Sequence, residues 1–126
     1  MGKYVEWVNH KGTRILFLNA NGVTEAQYIA GQNELKDEIL KDRSSPCVLI
    51  DATKTPMTPA ATKNAKEVAA ANKEAGLEDG PSAIYGLSGI QRATAQLFGR
   101  GIHFGTSIDE CKDWLAKEDA KRRIKK

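Results

Sequence analysis

The chain has 126 residues, enough for one ordinary domain that folds on a hydrophobic core without a metal or a disulfide. Hydrophobic residues make up 40% and charged residues 28% of the sequence, a balance that excludes intrinsic disorder. The net charge is +3, but residues 117–126 alone carry +4, so residues 1–116 carry −1 and a basic body that binds nucleic acid is excluded. We predict a single domain over residues 1–116 and a basic, solvated C-terminal tail over residues 117–126.

The first predicted elements are a β-hairpin and a helix. Residues 4–8 alternate apolar and polar, residues 14–19 form a denser apolar run, and turn residues 9–12 lie between them. Thr24 begins a Thr-x-x-Gln capping spacing, which predicts a helix that ends near Lys41. The apolar residues of this helix fall on one stripe, formed by Tyr28, Leu35 and Ile39 with Ile29 and Leu40 beside them.

A central strand and a second helix follow. Residues 47–51 are apolar until Asp51, which is typical of a strand that is covered on both faces. Thr58 and Pro59 predict the N-cap and the first position of the second helix, and Gly76 predicts its end. Small residues on the inner face of this helix predict a close approach of its axis to the sheet: Ala61, Ala65, Val68, Ala69 and Asn72.

The remaining residues repeat the alternation of strand and helix. Residues 81–86 predict a short strand, residues 88–101 a helix that Gly101 ends, and residues 102–105 a fifth strand. Ser107 begins a further capping spacing and predicts a last helix, buried through Ile108, Cys111, Trp114 and Leu115. Crossover connections of this kind predict an α/β fold: a mixed five-stranded sheet with an N-terminal β-hairpin and about four helices.

Residues 83–92, Ala-Ile-Tyr-Gly-Leu-Ser-Gly-Ile-Gln-Arg, carry the most specific family signal. Together with the hairpin, the strand that ends in Asp51 and the Thr-Pro helix start, they resemble the STAS domain, in particular its SpoIIAA-like bacterial branch, which is also labelled STAS/SEC14. The resemblance covers nearly the whole chain. It implies an α/β layer of sheet and helices that is not a catalytic scaffold, so we expect neither catalytic residues nor a cofactor.

The resemblance implies a non-enzymatic regulatory module that interacts with another protein. Anti-sigma-factor antagonists of this family dock onto a protein kinase or an anti-sigma factor and are switched by phosphorylation at the start of the second helix. Their Asp-Ser-Ser/Thr-Gly type motif is replaced here by Met-Thr-Pro-Ala-Ala-Thr at residues 57–62, so Thr58 is the candidate phosphoacceptor, with an ordinary N-cap as the alternative. We expect a homo-oligomer that docks its regulatory partner through a loop containing Asp51, Thr53, Thr55, Thr58 and Thr62.

A second function stays open, the binding of a small anionic ligand or lipid headgroup, as the SEC14 label implies. The candidate site is the glycine-flanked turn with Gly86, Ser88 and Gly89, which would lead the amides of the next helix outward, with Arg92 one turn further on. The alternative is that glycine and serine serve only the backbone geometry of a strand-to-helix turn. Asp51 also has two interpretations, as part of a crevice at the carboxyl ends of the strands or as a hydrogen-bond acceptor for nearby loop amides.

The cysteine, histidine and hydropathy patterns argue against a reactive thiol, a metal site and a membrane-spanning helix. Cys47 and Cys111 are expected to be reduced, packed thiols, and burial of Cys47 argues against a hydrolase or redox enzyme. His10, expected in a turn, and His103, expected in a strand, lack the spacing of a metal site. No apolar run approaches the ~20 residues of a membrane-spanning helix, and no secretory signal begins the chain, so we expect a cytoplasmic protein.

Overall fold

The structure is a computed structural model that describes residues 4–43, 45–54, 58–77, 80–87 and 102–124. Its elements in chain order are β1 (Val5–His10), β2 (Thr13–Asn19), α1 (Glu25–Asp42), β3 (Cys47–Asp51), α2 (Pro59–Glu74), β4 (Ser82–Tyr85), β5 (His103–Gly105) and α3 (Ile108–Ile124). The helix predicted over residues 88–101 lies outside the described residues. The other predicted elements are all present.

The five strands form one mixed sheet in the order β1-β2-β3-β4-β5. β1 and β2 are antiparallel, and the other neighbouring pairs are parallel, as the crossover connections predict. Lys11 and Gly12 form the hairpin turn with φ values of 52° and 83°, the positive values that a two-residue turn of this twist needs. β1 extends to His10, so the expectation that this histidine lies in the turn is wrong: it pairs with Thr13 across the hairpin.

Two apolar layers cover the sheet, one on each face. α1 packs on one face through a core of Val5, Leu16, Leu18, Tyr28, Leu35, Ile39 and Val48, and the predicted stripe of this helix is confirmed. α3 lies across all five strands on the other face, over a core of Ile15, Cys47, Leu49, Ala83, Cys111 and Leu115. Successive residues of β2 alternate between the two cores, as the two-residue period of a strand requires.

The prediction that α2 approaches the sheet closely is wrong, because α2 packs on α1 instead. Ala61 in its first turn is its buried residue, whereas Ala69, predicted on the inner face, is exposed. The α1–α2 interface is polar: Gln32 Nε2 donates to the Ala61 carbonyl at 3.3 Å, and Asn64 Nδ2 donates to Gln32 Oε1 at 2.8 Å. Amide hydrogen bonds, together with the buried Ala61, therefore join α2 to α1.

The boundary predicted between residues 116 and 117 falls inside α3, which continues to Ile124. Asp119 is only 6% exposed and accepts from Arg122 Nη2 at 2.8 Å. Arg122 Nη1 also donates to the Ser45 carbonyl at 2.8 Å, which attaches the end of α3 to the segment before β3. The interpretation of the tail as solvated is therefore corrected for these two residues, while Lys117 and Lys121 are exposed.

None of the described helices combines the length and apolar character that a bilayer crossing requires.

Candidate functional site

The loops after β2, β3 and β4 meet at one end of the sheet. Backbone hydrogen bonds join them from strand to strand: Ala20 N donates to the Asp51 carbonyl at 2.9 Å, and Ala52 N donates to the Tyr85 carbonyl at 2.8 Å. Gly22 N donates to the Thr53 carbonyl at 2.9 Å, which extends the pairing beyond the strands. We call this region, residues 20–24, 51–54, 58–62 and 86–87, the carboxyl-end surface, because it lies where parallel strands end and α/β proteins place their sites.

Asp51 shapes the loop after β3. Its Oδ1 accepts from Thr53 N at 3.1 Å and from the Thr53 hydroxyl at 2.7 Å, the arrangement of an Asx-type turn. Asp51 as a whole residue is 9% exposed. Lys54, which follows Thr53 in the loop, is exposed and has a left-handed φ of 55°. Asp51 is thus an acceptor for local loop groups, one of the two predicted interpretations, and it fixes the conformation in which the loop is presented.

Gly86 places the turn after β4 directly on that loop. Its φ is +96°, and a Cβ at this position would lie 2.6 Å from Thr53 N and 2.7 Å from Thr53 Cα. The structure therefore brings Gly86 of the predicted anion site together with Thr53 of the predicted docking loop. This close approach explains the glycine by backbone geometry. Ser88, Gly89 and Arg92 lie outside the described residues.

Thr58 begins α2 at the edge of the same surface. It is the N-cap residue, with φ −80° and ψ 163°, and its Oγ1 accepts from Ala61 N at 3.2 Å, while Pro59 takes the first helical position. The side chain is half-buried, as is that of Thr62, whose amide donates to the Thr58 carbonyl at 2.9 Å. The predicted N-cap is confirmed, and Thr55 of the predicted loop lies outside the described residues.

Two histidine–carboxylate pairs attach α3 to the two edge strands. His10 Nε2 and Asp113 Oδ1 are 2.7 Å apart, and His103 Nε2 lies 2.7 Å from Glu110 while its ring stacks on Trp114 with 4.6 Å between centroids. The hydrogen bond from His103 lowers the pKa of Glu110, and the hydrogen bonds from His10 and then Lys11 lower the pKa of Asp113. Sequence reasoning missed both pairs. His10 and Asp113 are 103 positions apart, whereas His103 and Glu110 are only 7 positions apart but lie on different elements, β5 and α3.

Neither cysteine is available as a nucleophile. Cys47 is 1% exposed and Cys111 0%, and neither forms a disulfide, which confirms the prediction of reduced, packed cysteines. Burial first, and then the nearby charge of Glu110, raises the pKa of Cys111 to about 11. A thiol with this pKa is protonated at neutral pH. Among the residues that the structure describes, no three His, Cys, Asp or Glu side chains form a group that could hold a metal ion.

Comparison with known proteins identifies the fold. A solved structure of RsbS from Moorella thermoacetica, in a variant with a serine replaced by glutamate, matches with a TM-score of 0.58 and 16% sequence identity. The match covers 92% of this chain and 97% of that chain. The chain has the STAS fold. No family model and no curated protein matches the sequence.

The STAS fold confirms the architecture that residues 83–92 and the hairpin pointed to. The chain spans nearly the whole length of the RsbS structure. In this chain the STAS fold presents the carboxyl-end surface, with Thr58 at the start of α2.

Proposed function

We propose that this STAS domain is a regulatory module that docks a protein partner through the carboxyl-end surface. The observation that supports the proposal most is the lateral hydrogen bonding of three loops by Ala20, Gly22 and Ala52. Loops joined in this way keep a fixed shape without a ligand, so binding a partner costs little ordering entropy. The likeness to RsbS, a protein whose fold the chain shares, supports a regulatory role.

The chemistry of the described residues argues against catalysis at this surface. Asp51, the buried carboxylate of the surface, accepts from Thr53 and serves the loop itself. The two thiols are buried in the α3 core rather than at the surface. We therefore assign recognition of the partner to the shape of the carboxyl-end surface and to exposed side chains such as that of Lys54.

Within the proposal, Thr58 is the phosphoacceptor that regulates docking. A phosphate there would lie beside the first amides of α2 and the positive end of its dipole, which favour negative charge. The modification would leave α2 folded and change the charge of the surface by about −2. A switch of this kind acts on the partner without unfolding the module.

The test is a matched pair of charge reversals at two exposed lysines. Lys54 lies in the loop after β3, and Lys41 lies at the other end of the sheet, in the last turn of α1. We expect affinity capture from extracts of the source organism to recover one partner with wild-type protein and with K41E. Recovery falls at least about tenfold with K54E, as expected for a central contact, and also falls with the phosphate mimic Thr58→Glu. Equal recovery by K54E and K41E would remove this surface from the proposal.

Self-association and a cytoplasmic location belong to the same proposal. β1 and β5 are the two edges of the described sheet, and each pairs with one neighbouring strand. An edge strand offers backbone groups to a second copy of the chain. Sedimentation equilibrium of the full chain should give a mass of two or more chains at micromolar concentration, and a monomer would exclude the homo-oligomer. Cell fractionation tests the location.

Small-anion binding at Gly86, Ser88, Gly89 and Arg92 is the competing proposal. The close approach of Gly86 to Thr53 favours docking over this alternative, because it accounts for the glycine without a ligand. Thermal unfolding with millimolar phosphate, nucleotides or fatty acids separates the two. A shift that Arg92→Ala abolishes would establish the anion site and displace docking as the leading function.

A further inference from the structure

A small cavity lies at the opposite end of the sheet from the carboxyl-end surface. It has a volume of about 80 Å³ and lies between the end of α1, the later part of α2 and the residues that begin β3 and β4. For scale, an engineered cavity of about 150 Å³ admits benzene, which has six non-hydrogen atoms. The volume therefore suits a molecule of roughly three or four non-hydrogen atoms.

The walls of the cavity are uncharged and of mixed polarity. The apolar wall comes from Ile39, Pro46 and Val48. The side chains with hydrogen-bonding groups are those of Ser45, Asn72 and Ser82. Lysine, arginine, histidine and carboxylate side chains are missing from the described lining, so the walls offer a charged ligand no counter-ion. The occupant that fits is neutral, with one polar group on a short apolar body.

Asn72 determines the polar group that the ligand needs, which is a hydrogen-bond donor. Its Oδ1 is buried and accepts no hydrogen bond from any residue that the structure describes. A buried acceptor without a donor is costly, and native structures rarely leave one unsatisfied. Asn72 lines the cavity, which is therefore the place where a ligand could supply that donor. Ser82 Oγ, by contrast, already donates to the Gly80 carbonyl at 3.3 Å.

We propose that this cavity is a binding site for a small neutral alcohol, which donates its hydroxyl to Asn72 Oδ1 and packs its carbon chain on Ile39 and Val48. The site is independent of partner docking, because it lies at the amino ends of β3 and β4. It differs from the anion site considered above in its ligand chemistry, since it offers an acceptor and no cation.

Two isomers test the proposal in the unmodified full chain. 1-Propanol and methoxyethane have the same formula, but only the alcohol has a donor. Followed by NMR, 1-propanol should give saturable shifts of the Ile39 and Val48 methyl groups and of the Asn72 carboxamide. It should bind about tenfold tighter than the ether, the equivalent of one hydrogen bond. Equal binding of the two isomers, or no saturable shift at these residues, would overturn the proposal; the latter outcome means that water is the sole occupant.

A pair of neighbouring variants assigns the preference to Asn72. Asn72→Leu removes the acceptor and should abolish the preference for alcohol over ether, while Lys73→Gln, at the next and exposed position, should keep it. The dispersion of the amide spectrum establishes that each variant is folded. A folded Asn72→Leu protein that retains the preference would contradict the assignment. Because the comparison of isomers uses wild-type protein, it decides the proposal even where this variant does not fold.

Discussion

Replacing Gly86 by alanine perturbs the contact that joins the turn after β4 to the loop after β3. The backbone φ of +96° strains any residue with a Cβ, at a cost of about 1 kcal/mol or more. The new Cβ would also lie 2.6 Å from Thr53 N, well inside ordinary van der Waals contact at 3.4–4 Å. Thr53 therefore has to move, which disturbs its hydrogen bonds with Asp51 and with Gly22 N. The two bonds to Asp51 are made by Thr53 N and Oγ1, the atoms that lie closest to the new Cβ. Losing these two bonds at about 1 kcal/mol each, added to the backbone strain, gives a total near 3 kcal/mol.

Two other glycines provide the matched controls. Gly22 and Gly76 also have positive φ, +71° and +79°, but a Cβ at either position meets nothing within 4 Å. In their alanine variants, only the backbone strain should lower the free energy of unfolding, by about 1 kcal/mol each. In urea titrations at an m-value of about 1.5 kcal/mol/M, G86A should move the midpoint by about 2 M and the controls by less than about 1 M. A G86A midpoint equal to that of G76A would refute the inference that the two loops form one surface.

Four further outcomes follow from contacts elsewhere in the domain. Thr58→Ala should cost about 1 kcal/mol in urea unfolding because α2 loses its N-cap, and Thr58→Ser should restore most of it. Arg122→Ala should cost about 2 kcal/mol, because it frees the end of α3 from the segment before β3, whereas the exposed Lys121→Ala should cost less than about 0.5 kcal/mol. The hydrogen bond from His103 lowers the pKa of Glu110, so the contribution of Glu110 to stability is present above the usual value of 4.5 and is lost as the pH falls through the lowered value. Glu110→Gln should therefore flatten the acid side of the curve of unfolding free energy against pH. An unchanged curve would exclude a stabilising His103–Glu110 pair. Both cysteine thiols should resist a thiol reagent at neutral pH until the protein unfolds, and fast labelling of the folded chain would contradict their burial.

Local signals in the sequence predicted the elements that local physics determines. The Lys11-Gly12 turn needs positive φ at both residues, and the sequence places glycine at the second. Thr24 makes both hydrogen bonds of the predicted capping box, and Thr58 makes the predicted N-cap bond to Ala61 N. Each of these features is settled within a few residues, so the spacing of residue types is enough to predict it.

The features that sequence reasoning missed depend on residues far apart in the chain. Gln32 and Asn64 join α1 to α2 through side-chain amides that are 32 positions apart, whereas the small residues of α2 suggested that this helix packs closely on the sheet. The composition of the C-terminal residues predicts a solvated basic tail. In the structure, however, Arg122 donates to the Ser45 carbonyl, 77 positions away. At the candidate site, the chain order predicted that Asp51 ends a strand, but it could not predict that Gly86 rests on Thr53.

Photo-crosslinking inside cells of the source organism tests docking through the carboxyl-end surface most directly. A photoreactive amino acid is placed at the position of Lys54 in one strain and of Lys41 in another, since both side chains are exposed and lie at opposite ends of the sheet. We expect a discrete covalent adduct with one protein from position 54, weakened by Thr58→Glu, and none from position 41. No adduct from position 54, or equal adducts from both positions, would contradict it.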